Sequence, residues 1–224
     1  MSSSSSGQMP WMPLPEGVPP WLQRLTDAAR ELTVRDLSRL EPPLEGGRES
    51  AILMLFGEGP EGPDVLLIER SHDLRHHAGQ PAFPGGAAEP ADDGPVATAL
   101  REAVEETGLD PTGVEILLTL PTLWLPPSGF LVVPILAWWR EPSAVAVADP
   151  AEVAAVVRVP LARLVTPANR FRLRHPSGYI GAAFDVGGLL VWGFTAGLLD
   201  RLLDAGGLAQ PWDRGDVRDR PPGV

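Results

Sequence analysis

The chain has 224 residues, 44% of them hydrophobic and 21% charged, with a formal net charge of −11 and no cysteine. This is enough chain for one domain with a full core, and its acid excess excludes a general nucleic-acid binder, which needs a basic face. The lack of cysteine excludes disulfides, thiolate metal sites and a cysteine nucleophile. Residues 1–8 have neither the basic nor the apolar region of a secretory leader. The longest nearly apolar stretch, 187–199, is too short and too glycine-rich to span a bilayer. A soluble, cytoplasmic protein with no membrane and no nucleic-acid partner is expected.

In chain order, residues 1–19 are rich in Ser, Pro and Gly and read as a flexible segment. The spacing of Leu22, Leu25, Ala28, Ala29 and Leu32 predicts an amphipathic helix over 21–40, broken afterwards by Pro42-Pro43 and Gly46-Gly47. Two buried strands, 51–56 and 65–68, are joined hairpin-fashion by a Gly/Pro-rich loop at 57–63. Residues 74–93 have no regular period. A helix over 96–107 follows, with Val96, Leu100, Ala103 and Val104 on one side and Gly108 as its stop. Strands are predicted at 114–125, 130–139, 152–159, 171–174, 179–184 and 189–192, with a short helical piece at 161–164 and an amphipathic helix at 195–203. The pattern predicts one α+β domain over 20–205, an αβα sandwich with a mixed β-sheet between helices, and a flexible polar tail over 206–224.

The helix over 96–107 carries the chemistry. Glu102 and Glu106 stand one above the other on a helix, Glu105 beside them at i+3, and Arg101 four residues before Glu105, where it can fix that rotamer. A solvated acidic face is the plain alternative, since exposed like-charge pairs cost only about 0.2–0.5 kcal/mol each. Against it stand the Gly85-Gly86 pair and the acidic loop just upstream. Oxygen-only ligands suit Mg2+ or Mn2+, and Mg2+ typically takes one or two carboxylates together with waters and substrate phosphate oxygens. Asp92 and Asp93, just before the helix, would favour its positive N-terminus.

These residues resemble the Nudix box, whose pattern is Gly-x5-Glu-x7-Arg-Glu-U-x-Glu-Glu-x-Gly-U with U apolar. Arg101-Glu102-Ala103-Val104-Glu105-Glu106-Thr107-Gly108-Leu109 fits its second half residue by residue. In the first half, five residues lead from Gly86 to Asp92 in place of Glu, and eight rather than seven separate Asp92 from Arg101. The stretch Leu66-Leu67-Ile68-Glu69-Arg70-Ser71, continuing through Arg75 and Gly79 to Phe83-Pro84-Gly85-Gly86, resembles the signature of the coenzyme A pyrophosphatase branch, whose members share the longer box. Ile68 stands where that signature has Thr. Segments 127–134 and 192–196 also look like that branch, so the resemblance covers about 51–203.

The resemblance implies a Nudix fold and a Mg2+- or Mn2+-dependent diphosphatase. It would hydrolyse coenzyme A or an acyl-CoA to 4′-phosphopantetheine and adenosine 3′,5′-bisphosphate. It places Glu102, Glu105, Glu106 and the Gly86 carbonyl as metal ligands, and Glu105 and Arg101 in the catalytic set. Arg70 and Arg75, whose forked donors suit phosphate, are assigned to the substrate with Gly85 and Ser128. It also implies a homodimer, the state common among relatives. His76 and His77 add to the basic patch as hydrogen-bonding groups. The general base stays open among Glu105, Glu141, Asp149 and Glu152. Trp138, Trp139, Trp192 and Phe194 are read as core, and Arg170, Arg172 and Arg174 as a solvated strand edge. Two other readings remain: hydrolysis of another nucleoside diphosphate derivative, such as a nucleotide sugar or dinucleotide, and a catalytically weak nucleotide-sensing module.

Overall fold

A long hairpin organises the molecule: β1 (Arg48–Gly59) turns at Gly59 and Gly62 into β2 (Gly62–Arg70), with Phe56 opposite Val65. Gly62 has φ +92°, a left-handed conformation that other residues avoid. The computed structural model describes residues 13–38, 40–43, 46–74, 78–126 and 128–219. Both faces of the hairpin are buried. Met54, Phe56, Val65 and Leu67 pack to one side and Leu53, Leu55 and Leu66 to the other, which is why these strands read as unbroken apolar runs.

Six more strands complete the first sheet. They are β3 (Pro81–Ala82), β4 (Gly85–Ala87), β5 (Val114–Thr119), β6 (Leu123–Leu125), β7 (Phe130–Trp139) and β8 (Val153–Pro160). β7 runs parallel to β1, with Arg48 opposite Phe130 and Phe56 opposite Trp138, while β3 and β8 lie antiparallel to β2. The sheet is therefore mixed. The strand expected over 114–125 is two strands, broken at Leu120-Pro121-Thr122, where Pro121 has no N–H to give the ladder.

Helices cover both faces. α3 (Gly94–Thr107) lies on one face through Ala99 and Ala103, both fully buried. On the other face α1 (Pro20–Arg30) and α5 (Gly193–Ala205) pack through Leu22, Leu25, Leu198, Leu199 and Leu202. The helix expected over 21–40 stops at Arg30. A short α2 (Val34–Leu37) restarts it, with Thr33 and Asp36 closing a reciprocal capping box. α4 (Leu161–Val165) follows β8.

The short strands expected near residues 171–192 do not join the main sheet. β9 (Arg170–Arg174), β10 (Ile180–Val186) and β11 (Leu189–Val191) make a second sheet in the order β11-β10-β9-β12. Its last member, β12 (Val217–Asp219), pairs parallel with β9. Residues 206–219 of the segment expected to be a loose tail therefore have a place in the fold, and 220–224 lie outside the described residues. Trp212 lies over the Arg170 guanidinium, 5.1 Å from carbon to ring centroid, and Arg214 pairs with Asp204. Arg170 is likewise not on a solvated edge. Its side chain is 1% exposed and pairs with Asp200 of α5, whereas Arg174, at the other end of the row, is 54% exposed. Among the described residues, no helix is long and apolar enough to cross a membrane.

Candidate active site

The site forms where α3 passes the two-glycine strand β4. A proline in its first turn starts α3, and Gly108, at φ +65°, ends it with an N–H bond to Val104. With Ala99 and Ala103 against the sheet, the helical period brings Glu102 and Glu106 to its edge, facing β4. Gly86 sits opposite Ala51 of β1, so close to Glu102 that a Cβ at Gly86 would collide with that carboxylate. At Gly85 a Cβ would collide with the backbone of Ala51 and Ile52. Both positions need glycine for close approach.

Glu106 is the most enclosed of the acids, with a side chain 3% exposed. Its Oε2 accepts the Gly85 N–H at 2.9 Å, while its buried Oε1 has no hydrogen-bond donor among the described residues. Arg70 Nη1 stands 4.0 Å from Oε1. Burial pushes the Glu106 carboxyl up to about 8, and the neighbouring Glu102 and Glu152 add to the rise against the opposing pull of Gly85 and Arg70. Glu102 is raised for the same first reason, desolvation, partly offset by Arg101.

Arg101 binds the segment together. It meets Asp92 through Nε and Nη2, both at 3.0 Å, Glu102 and Glu105 through Nη1 at 3.1 and 3.0 Å, and the Ala87 carbonyl through Nη2 at 2.9 Å. Asp92 also accepts from Thr98 Oγ1 and the Glu89 N–H. It therefore braces Arg101 rather than capping the helix, and Asp93, the residue at the cap, makes no side-chain cap bond. The Asp92–Arg101 pair forms across the eight intervening residues, with a bend at Asp93 just before α3.

Of the expected site residues, Glu102, Glu106, Gly85, Gly86, Arg70 and Arg101 come together. Glu105 is held outward by Arg101 with its side chain 57% exposed. Ser128 lies on the turn between β6 and β7, its hydroxyl donated to Leu125 O at 3.2 Å. Arg75, His76 and His77 lie outside the described residues. Ile68, the departure from the signature, is buried in β2 opposite Ala82 and Val156, a core position. Trp138 and Trp139 are buried, as expected. Glu152, left open in the sequence among several loop acids, adds a small share to the rise of the Glu102 and Glu106 carboxyls.

Among the described residues, no three His, Cys, Asp or Glu side chains stand close enough to form a ready-made metal cage. The donors still suit a hard divalent cation. A buried carboxylate oxygen without a donor, with a second carboxylate on the next turn, fits an ion that takes one or two carboxylates and draws its other ligands from water and phosphate.

A family model described as NUDIX domain matches residues 47–179. An uncharacterized Nudix hydrolase NudL from Photorhabdus laumondii is 36% identical over 73% of this chain and 90% of its own length. Its namesake from Escherichia coli is 36% identical over 77% of this chain and 94% of its own length. Among solved structures, a Nudix hydrolase from M. smegmatis, RenU, aligns with TM-score 0.51 and 20% identity over 79% of this chain and 96% of that one. A Nudix hydrolase from Nitrosomonas europaea aligns with TM-score 0.50 and 16% identity, covering 80% of this chain and 82% of that one.

Proposed function

The chain belongs to the Nudix family, and from that premise we propose that it is a divalent-metal-dependent diphosphatase of coenzyme A or its derivatives. The observation that carries the hydrolase reading is the pairing of Glu102 and the donor-free Oε1 of Glu106 beside Arg70 at the Gly85-Gly86 strand. The coenzyme A part rests on the likeness of segment 66–86 to that branch. Burial of Ile68 in the core supports treating its departure as a packing change away from the substrate.

A diphosphate repels an incoming nucleophile, so the site must supply positive charge where charge develops. A bound Mg2+ or Mn2+, held by Glu102 and Glu106 with Glu105 at the rim, would screen the diphosphate and lower the pKa of water. The chain's own residues do the rest. Arg70, its side chain 25% exposed, offers forked donors to phosphate oxygens from the end of β2. Arg101 holds the helix acids in place against Ala87 and Asp92. Gly85 and Gly86 let strand β4 approach those acids without a side chain in between.

The test is direct. The protein is incubated with coenzyme A, ADP-ribose, a nucleotide sugar and a dinucleotide in turn, with Mg2+ or Mn2+, and products are weighed by mass spectrometry. The expected products are 4′-phosphopantetheine and adenosine 3′,5′-bisphosphate. Untouched coenzyme A alongside cleavage of another diphosphate would replace the substrate, and tight nucleotide binding with no turnover would replace catalysis with sensing.

A further inference from the structure

Strand β9 points its side chains two ways. Arg170 faces α5 and pairs with Asp200, so strand alternation turns Phe171 and Leu173 to the other face of the second sheet. There they form an apolar cluster of their own with Ala183 of β10, against which Leu190 and Trp192 pack. Antiparallel sheets with one face toward water commonly carry polar residues on it. This face is apolar instead, and it holds a cavity of about 330 Å3. Phe171, Leu173 and Leu190 line the cavity together with the exposed Asp185, Gly188 and Arg218. Arg218 is already engaged, its guanidinium 4.1 Å from the Phe171 ring centroid and bonded to Asp216 at 2.7 Å. Asp185 takes the Gly188 N–H on Oδ1 at 3.2 Å.

The same face presents Tyr179, at 54% exposure the most open large apolar side chain among the described residues. Its ring lies on Gly181, where a Cβ would stand 2.7 Å from both Cε1 and Oη. Gly181 is opposite Leu173, so the ring is on the side of the apolar cluster. The turn between β9 and β10 holds its backbone, with the His175 N–H donating to Tyr179 O at 2.8 Å. Gly181 and Asp185 stand two residues to either side of Ala183, the member of the cluster on β10. An exposed aromatic ring and a cavity with a carboxylate at its edge thus occupy symmetric positions on one face. A two-fold axis running between two such faces, across the strands at Ala183, brings Gly181 of each copy opposite Asp185 of the other. That is the self-complementary pattern of an isologous contact, in which residue i meets j and j meets i.

We propose that this face of the second sheet is a contact between two copies of the chain, with Tyr179 of each filling the cavity of the other. The ring covers apolar surface at Leu190, and its O–H donates to the Asp185 carboxylate, so the phenol keeps a partner as water leaves. Tyrosine suits such a place, since it brings a large contact area with only two side-chain angles to immobilise. The contact uses no residue of the candidate active site and stands apart from the choice of substrate.

The experiment is sedimentation of the full chain across the micromolar range, comparing wild type with Tyr179→Asp, Asp185→Arg and the double variant. Wild type is expected to form a dimer. Tyr179→Asp sets carboxylate against carboxylate and is expected to weaken self-association about 30-fold or more, the scale of a buried aromatic anchor. Asp185→Arg removes the acceptor of the phenol and is expected to weaken it as well. The double variant replaces the contact by two opposed charge pairs and is expected to associate more tightly than either single variant, which separates a lost contact from a lost fold. A wild type that stays monomeric throughout overturns the proposal. Tyr179→Asp dimerising as wild type does overturns it too, and a double variant no tighter than Tyr179→Asp overturns the pairing with Asp185.

Discussion

Arg101 grips Asp92 with two parallel hydrogen bonds, Nε to Oδ1 and Nη2 to Oδ2, each at 3.0 Å. The fork leaves Nη1 for Glu102 and Glu105. An acid upstream of the helix therefore sets the orientation of two acids on it, through a guanidinium whose planar geometry permits few alternatives.

Replacing Asp92 with Asn puts an amide donor against a guanidinium that has only donors. Arg101 is expected to turn away and loosen Glu102, lowering kcat about 10- to 100-fold, the scale on which sub-ångström to 1 Å misplacements act. Steady-state kinetics checks this, and unchanged turnover would reduce Asp92 to a charge at the helix entrance. The pair also has a pH signature. The Arg101 hydrogen bonds hold the Asp92 carboxyl well below the usual carboxylate range. Its contribution to stability is thus present above the unfolded-state pKa and lost only as pH falls through the depressed folded value. The variant should lack that acid-side loss.

Glu106 has the opposite sign. Its folded carboxyl is raised to about 8 in the metal-free protein, against an ordinary value of 4.5. The contribution of this group to stability is full below its unfolded pKa and lost as pH rises through the folded one. Thermal melting of metal-free protein should therefore show a component of stability that declines between about pH 5 and 8. Glu106→Gln should remove that decline. Mg2+ should raise the wild-type melting temperature most at the alkaline end, because ligation needs the ionised form. An identical pH profile in wild type and Glu106→Gln would show that Glu106 ionises normally.

Arg170 tests the second sheet. Its side chain is 1% exposed and paired with Asp200, and Nε and Nη1 lack hydrogen-bond acceptors while Phe184 and Trp212 flank the guanidinium. Arg170→Met strands Asp200 as a buried charge, with Arg214 its remaining partner at 3.7 Å. The expected cost is about 3–5 kcal/mol by denaturant unfolding, with earlier proteolysis near Trp212. Adding Asp200→Leu should recover most of the loss. A cost within 1 kcal/mol would show that Arg214 suffices to compensate Asp200.

How much of this was legible from sequence depended on whether a residue's partner lay on the same element. The hairpin and α3 could be read because their apolar patterns are local, and helical spacing aligned Glu102 and Glu106, while only the resemblance to the box singled them out from a solvated acidic face. The bracing of Arg101 by Asp92 was half legible: the irregular spacing was visible, but the pairing of the two side chains was not. Alternating Arg170, Arg172 and Arg174 looked like an exposed edge because nothing local shows that Asp200 of α5 and the distant Trp212 enclose the Arg170 end of that row. The loop 141–152 was aperiodic, and its main-chain bonds from Ala146 and Ala148 to α3 are ones that residues of any type can make. The break before α2 did leave a trace, since Thr33 and Asp36 have capping-box spacing inside the predicted long helix.

The Gly85 N–H occupies Oε2 of Glu106 and leaves Oε1, on the Arg70 side, as the free oxygen. Under the diphosphatase reading proposed above, proton and cation would thereby be directed to a single atom. Acidity then acts as a competitor of the metal, and the same catalytic state can be reached by raising either pH or metal concentration. The two-glycine strand β4 would make this coupling, because its backbone takes up one of the two places where a carboxylate would otherwise hold them apart.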